Sequence, residues 1–111
     1  AVEISSVQVV VLGFSQGVAT AARWAHRGSA RLDRLVLWAG TLPPEIESDA
    51  DFARFRALDL AFVLGSRDPF AEPAHLLELE GRLRAHDVRY RLIRFGGGHE
   101  LNADVLKELA G

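Results

Sequence analysis

Short apolar runs alternate with longer amphipathic segments along this chain. The apolar runs predict four strands, at Val7–Leu12, Leu35–Trp38, Leu60–Leu64 and Val88–Phe95. The amphipathic segments predict four helices, at Gln16–His26, Ala50–Leu58, Pro73–His86 and Asn102–Leu109. A strand followed by a helix, four times in succession, predicts an α/β protein in which right-handed crossovers join parallel strands in a layered sheet.

The strands themselves indicate how the sheet is covered. The first three are continuous apolar runs apart from Gln8. Strands that are apolar on both faces are typical of parallel sheets with helices on both sides. The fourth predicted strand instead carries Arg89, Arg91 and Arg94, which favours a place at the edge of the sheet. We therefore expect a parallel-sheet layered sandwich with its fourth strand at one edge.

Composition narrows the class of protein. The chain has 111 residues, enough for one small core, so we expect a single domain over residues 1–111. A net charge of -2 gives no sign of a nucleic-acid or membrane-surface partner. No apolar stretch approaches the ~20 residues of a membrane span, and residues 1–12 lack a signal-peptide pattern, which favours the cytoplasm. The absence of cysteine excludes disulfides, a cysteine nucleophile and thiolate metal sites.

The strongest chemical signal is the five-residue segment Gly13-Phe14-Ser15-Gln16-Gly17. A serine between a strand and a helix, with glycines two positions to either side, is typical of a nucleophile elbow. We expect both glycines to be needed because so tight a turn leaves no room for side chains. We also expect the backbone N–H of Gln16 to donate to an oxyanion. The alternative is a glycine-rich turn in which Ser15 only caps the helix.

Two further polar residues follow later strands. Asp68 comes after the third strand, within Gly65–Pro69, and His99 comes after the fourth, within Gly96–Glu100. Taken singly, each has an ordinary interpretation, as an Asp-Pro turn and as an exposed loop histidine. Ligands of parallel α/β sheets bind at the carboxyl ends of the strands. These loops are therefore expected to bring Ser15, Asp68 and His99 to one edge of the sheet.

The three residues follow the chain order of the α/β-hydrolases, not that of chymotrypsin-like or subtilisin-like proteases. The order predicts a catalytic triad in which Ser15 attacks an acyl carbonyl, His99 removes and later returns the proton, and Asp68 holds the histidine tautomer. Such a triad requires neither a metal nor an organic cofactor, and we expect none. The segment from His99 begins like the H-E-x-x-H zinc motif, but Ala103 stands where the second histidine would be.

At these residues the chain resembles the phospholipase/carboxylesterase family of α/β-hydrolases, which includes acyl-protein thioesterases and bacterial serine esterases. The resemblance runs along nearly the whole chain, on Gly13–Gly17, Ala39–Pro43, Gly65–Pro69 with Pro73, and Gly97–Glu100. Gln16 and Glu100 separate this family from most other α/β-hydrolases. The chain departs from the family at Val18, where a further glycine is frequent, and at Phe70–Glu72, where aliphatic residues are usual.

The resemblance implies a serine esterase with an apolar groove for an acyl chain. Leu42 and Phe70 are the candidates for substrate binding, with Phe52 and Phe55 beside them, and packing in the core or a lid is the equal alternative for all four. Family members are about twice as long, so the resemblance implies the C-terminal half of an α/β-hydrolase fold, without the loop that supplies the second oxyanion N–H. We expect a complementary N-terminal half or chain as partner, and an exposed edge on the first strand.

The sequence therefore predicts a serine hydrolase that cleaves carboxylic esters through an acyl-Ser15 intermediate, with thioesters and lysophospholipids as further substrate classes. Two alternatives remain open: a non-catalytic α/β-hydrolase-like binding module, and an inactive half that needs its complementary chain. Related folds also host peptidases and lactone hydrolases. We expect weak or no turnover from this half alone, since one missing oxyanion donor costs ~10²–10³ in rate.

Overall fold

The computed structural model describes residues 9–27, 32–69 and 72–110. The strands in these ranges form one parallel sheet in the order β1-β2-β3-β4, with β1 at Val10–Phe14, β2 at Arg34–Trp38, β3 at Asp59–Gly65 and β4 at Arg91–Phe95. The helices between and after them are α1 at Gly17–Arg27, α2 at Asp49–Arg56, α3 at Pro73–Ala85 and α4 at Ala103–Ala110. The predicted α/β layered fold is confirmed. Within the described part of the chain, no helix has the length and apolar character needed to cross a membrane.

The first strand lies further along the chain than the apolar run indicates. β1 starts at Val10 and continues to Phe14, because the segment from Leu12 to Phe14 pairs in register with the last three residues of β2. Val7 and Gln8, which belong to the predicted strand, lie outside the described residues. β1 stands at one end of the strand order, and no other described strand pairs with its outer side. Among the described strands, β1 therefore has one unpaired edge.

The fourth strand is shorter than predicted. It begins at Arg91, three residues after the predicted start at Val88. Val88 instead closes the turn after α3, where its N–H donates to the carbonyl of Leu83 at 2.9 Å and its side chain is 4% exposed. An apolar residue that packs under a helix end therefore resembles the start of a strand in the sequence. β4 occupies the other end of the sheet, as its arginines predict.

The core lies in two layers, one on each face of the sheet. Alternate strand residues point to opposite faces, so Leu35 and Leu37 of β2 pack under α1, α2 and α3, while Val36 and Trp38 pack under α4. These four side chains are at most 1% exposed. The continuous apolar runs of the central strands are thus explained by helices on both sides.

The parallel register aligns the carboxyl ends of the strands. Phe14 of β1 lies opposite Trp38 of β2, Trp38 lies opposite Val63 of β3, and Gly65 of β3 lies opposite Phe95 of β4. The residues that follow these strand ends therefore meet at one edge of the sheet.

Candidate active site

Ser15 occupies the turn between β1 and α1 in a conformation that side chains rarely adopt. Its φ is 56°, in the left-handed region, which costs free energy in a residue that carries a Cβ. The turn is held on both sides: the Ser15 N–H donates to the Trp38 carbonyl at 2.8 Å, and the Ser15 carbonyl accepts from the Val18 N–H at 3.1 Å. The neighbouring strand and the first turn of α1 thus keep the serine at the sheet edge.

The two glycines beside the serine have different roles. A Cβ on Gly13 would lie 2.5 Å from the Gly17 carbonyl oxygen and 2.8 Å from the Ala21 Cβ, so only glycine fits there. A Cβ on Gly17 would meet no atom within 4 Å. The expectation that both glycines are sterically required is therefore wrong for Gly17. The reason is that Gly17 begins α1 and its missing side chain points into open space.

Ser15, His99 and Asp68 form a continuous chain of hydrogen bonds. The Ser15 Oγ lies 2.7 Å from His99 Nε2, and His99 Nδ1 lies 2.7 Å from Asp68 Oδ2. With its proton on Nδ1, the imidazole donates to Asp68 and accepts from the Ser15 hydroxyl. The Asp68 side chain is 1% exposed, whereas the His99 side chain is 26% exposed. The structure thus brings together the three residues named from the sequence, with a buried carboxylate behind a partly open imidazole.

The loop that carries His99 packs directly on the end of β3. A Cβ on Gly65 would lie 2.5 Å from the Gly97 carbonyl oxygen and would also overlap the carbonyl of Gly98. The N–H of Arg67 donates to the same Gly97 carbonyl at 2.8 Å. Because Asp68 follows in the same turn, one close backbone contact sets the positions of both the acid and the histidine.

Trp38 and Glu100 hold the other side of the histidine loop. The Trp38 Nε1–H donates to the backbone carbonyl of Glu100 at 2.9 Å. The Glu100 Oε1 accepts from the N–H of Gly98 at 3.2 Å, so the residues on both sides of His99 are tied. From the sequence, Glu100 is recognisable only as a family feature and Trp38 only as a strand residue. The one signal that could have suggested this role for Trp38 is its position at the carboxyl end of a strand.

The backbone N–H of Gln16 lies at the N-terminal end of α1. It lies directly before α1, where the partial positive charge of the helix dipole favours an anion. Within the described residues it donates no hydrogen bond to the protein. The expected donation from this N–H to an oxyanion stays a prediction.

Those residues predicted to bind substrate that the structure describes lie in the core. Leu42 is 2% exposed and packs in the core with Phe52 and Phe55, which is the alternative left open for all three. Phe70 lies outside the described residues. A cavity of about 300 Å³ instead opens beside Asp68, between α3 and the sheet. Its wall includes Arg94, whose position in the sequence indicates only an edge strand.

The other histidines of the described ranges belong to structural contacts. His26 Nε2 lies 2.9 Å from Asp51 Oδ1, and His86 Nδ1 lies 3.2 Å from Asp49 Oδ1, so both tie neighbouring helices to α2. His75 lies 3.7 Å from Glu72 at the start of α3. A search of the described residues finds no group of three or more histidine, aspartate or glutamate side chains suited to a metal ion.

Comparison with known proteins identifies the fold. No protein-family model and no curated protein matches this chain. Acyl-protein thioesterase 2 of Zea mays is 22% identical with a TM-score of 0.71, and the match covers 96% of this chain and 55% of that one. A SOBER1 variant of Arabidopsis thaliana (18% identity, TM-score 0.72) matches over 91% of this chain and 50% of its own. Esterase PE8 (20% identity, TM-score 0.69) matches over 90% and 46%.

Each of these similarities covers only part of the other structure. The chain spans about half the length of the three structures. At such low identity the likeness shows an α/β-hydrolase type of fold, in agreement with the four parallel strands and their covering helices.

Proposed function

We propose that the chain carries the catalytic triad of a serine hydrolase that cleaves carboxylic esters through an acyl-Ser15 intermediate. The observation that supports the proposal most strongly is the pair of 2.7 Å hydrogen bonds that link Ser15 to His99 and His99 to Asp68. Hydrogen bonding alone also occurs in structural clusters, but here the serine has a φ of 56° on a strand-to-helix turn, as a nucleophile elbow requires.

In the proposed reaction each catalytic group acts once during acylation of Ser15 and once during deacylation. His99 Nε2 accepts the hydroxyl proton as Ser15 Oγ bonds to the acyl carbon, and the Gln16 N–H donates to the resulting oxyanion. The bond to the leaving oxygen then breaks, and His99 gives the proton to that oxygen. A water molecule repeats the sequence and releases the carboxylic acid. Asp68 stabilises the imidazolium during both acylation and deacylation and holds the proton on Nδ1.

Thioesters and lysophospholipids are the further substrate classes that we propose. The similar structures include proteins described as an acyl-protein thioesterase and as esterases. The triad chemistry is the same for an oxygen or a sulfur leaving group, so a panel of esters, thioesters and peptide amides is needed to rank them. No metal or organic cofactor takes part in this scheme.

A complementary N-terminal half is part of the proposal. In this proposal Gln16 supplies one backbone donor to the oxyanion, whereas serine hydrolases of this fold use two. The chain also spans about half of the structures that it resembles. We therefore expect slow acylation of the chain alone, and an acceleration of roughly 10²–10³-fold when a segment supplying the second donor is added.

The test is the intact mass of the chain after exposure to a fluorophosphonate probe. One adduct on the wild type and none on Ser15→Ala is the expected result, because the probe reacts only with an activated serine. Ser48→Ala, which changes a serine at the start of α2, serves as the matched control and labels like the wild type. A folded wild-type chain that stays unlabelled, even with the complementary segment present, contradicts the proposal and favours a binding module.

A further inference from the structure

The cavity beside the triad has the features of a small ligand pocket. It holds about 300 Å³, at the lower end of the range for ligand sites. Its apolar part is formed by Phe62 and Leu64 of β3 and by Leu76 and Leu79 of α3. Asp68 lies in its wall, so the cavity begins at the back of the triad. A short apolar group would fill it and would displace water from apolar surface.

The cavity wall also includes part of the loop after β2, which contacts the backbone of Ser15. Gly40 lies in its wall, and a Cβ on Gly40 would lie 2.9 Å from the carbonyl oxygen of Ser15. In the proposed reaction, the acyl group is the part of the substrate that stays bound to Ser15 after the leaving group departs. The acyl group is therefore the part that we place in the cavity.

Arg94 is an exposed residue in the wall of this apolar cavity. It pairs in register with Leu64, and Leu92 two residues earlier pairs with Phe62. Because the side chains of a strand alternate between faces, Arg94 shares a face with Leu92, which packs against the core under α3. The face of β4 under α3 thus changes from apolar to cationic at the cavity.

The guanidinium of Arg94 has no ion pair or hydrogen bond with the described residues. Arg91, on the opposite face of the same strand, lies 3.3 Å from Asp59. Arg34 and Arg56 also contact carboxylates, at 2.8 and 2.9 Å. Arg94 therefore differs from these arginines in that its five N–H donors remain available to a ligand.

Two carboxylates in the cavity wall oppose an anion there. Asp68 already accepts a hydrogen bond from His99. Glu72 lies 3.7 Å from His75, and these two side chains are 64% and 65% exposed, so water and salt weaken the field of Glu72 inside the cavity. Arg94 is exposed as well, so the gain of an anion there comes mainly from direct hydrogen bonds to the guanidinium.

We propose that Arg94 determines substrate specificity by binding a carboxylate at the far end of a short apolar acyl chain. The preferred substrates are then esters of short dicarboxylic acids in which one acid group is free. The bidentate geometry of guanidinium and carboxylate suits this contact. This inference rests on the proposed function and names the substrate class of the same site.

The first test compares mono-para-nitrophenyl adipate with para-nitrophenyl hexanoate, which has the same chain length and no second acid group. We expect Arg94→Gln to lower the ratio of their kcat/KM values by about tenfold, mostly through KM. Glu72→Gln should raise the ratio, since it removes an opposing charge. Arg89→Gln is the matched control, because Arg89 is exposed shortly before β4 and lies away from the cavity wall.

The second test measures binding without turnover, in the Ser15→Ala variant. Nuclear magnetic resonance titrations with monomethyl adipate and with methyl hexanoate should show that Arg94→Gln weakens only the former. If hexanoate is cleaved but neither ratio nor binding responds to Arg94→Gln, the inference is overturned and the proposed hydrolase remains. If neither ester is cleaved while monomethyl adipate still binds through Arg94, the hydrolase proposal fails and the anion site remains.

Discussion

At the scale of single residues, the turn around Ser15 makes a prediction that separates the two glycines of the motif. We expect Gly13→Ala to lower the free energy of unfolding by ~1–3 kcal/mol, because its Cβ would collide with the backbone of Gly17 and with Ala21. Gly17→Ala should change it by less than ~1 kcal/mol, since its Cβ enters open space at the start of α1. Urea unfolding of both variants makes the comparison. Equal losses would contradict the steric argument.

The buried carboxylate of Asp68 gives a second prediction at this scale. Asp68→Asn keeps the shape of the side chain but presents an amide that favours the wrong tautomer of His99. We therefore expect the rate of fluorophosphonate labelling to fall by a factor on the order of 10³–10⁴, with little change in the urea midpoint. Asp59→Asn is the control, because Asp59 pairs with Arg34 and Arg91 at the opposite edge of the sheet. Unchanged labelling of Asp68→Asn would show that Asp68 does not assist His99.

The candidate triad could be named from the sequence because each member stands in a local pattern. Ser15 lies between spaced glycines, and Asp68 and His99 follow predicted strands. The contact between Trp38 and Glu100 could not be named, since it joins residues 62 positions apart and depends on the register of β2, β3 and β4. The steric role of Gly17 was overestimated for a related reason: a pattern shows where a glycine occurs, and the surrounding atoms show whether a side chain would fit.

At the scale of elements, the hydrophobic pattern identifies every strand and helix of the described ranges but places some ends wrongly. Periodicity reports burial, and burial continues beyond the hydrogen-bonded part of an element. Val88 illustrates this, since it is buried under α3 and lies outside β4. The helix ends with clear chemical signals are placed well: α3 begins at Pro73, as predicted from proline at the first turn.

The start of α2 carries a chemical signal of this kind, a capping box formed by Ser48 and Asp51. Ser48 Oγ accepts from the Asp51 N–H at 3.1 Å, and Asp51 Oδ2 accepts from the N–H groups of Glu47 and Ser48 at 3.1 and 3.0 Å. These backbone donors hold the pKa of Asp51 at about 2, below its usual 3.8. Asp49 has a pKa of about 2 for another reason, the hydrogen bond from Arg56. The ionised carboxylates therefore stabilise the folded state.

A pH dependence follows from these lowered pKa values. Since Asp51 and Asp49 bind protons less readily in the folded state, their contribution is complete above about pH 4 and is lost as the pH falls towards 2. Asp51→Ala should lower stability at neutral pH and flatten part of this acid loss. Urea unfolding over a pH series measures both effects, with Glu78→Gln on α3 as control. A variant curve parallel to that of the wild type would contradict the assignment.

At the scale of the whole molecule, the sheet is covered unevenly. Helix α4 buries Val36, Trp38, Ala61 and Val63 of the two central strands. On β1 the corresponding face is open: Val10 is 49% exposed and Leu12 is 39% exposed, although Leu12 lies opposite the buried Val36. The outer edge of β1 is also unpaired among the described strands. An apolar face next to an open strand edge is the surface that a complementary N-terminal half would cover under our proposal.

The last prediction concerns this surface in the chain by itself. An open parallel edge with exposed apolar side chains favours association with another copy. Sedimentation velocity over a concentration series should therefore show self-association of the wild type, and Leu12→Lys should reduce it by placing a charge beside the edge. Leu77→Lys is the control, because Leu77 is 70% exposed and lies on α3, which connects β3 to β4. A complementary half that binds at β1 should suppress self-association as Leu12→Lys does. If both lysine variants act alike, general surface charge explains the effect and the edge does not.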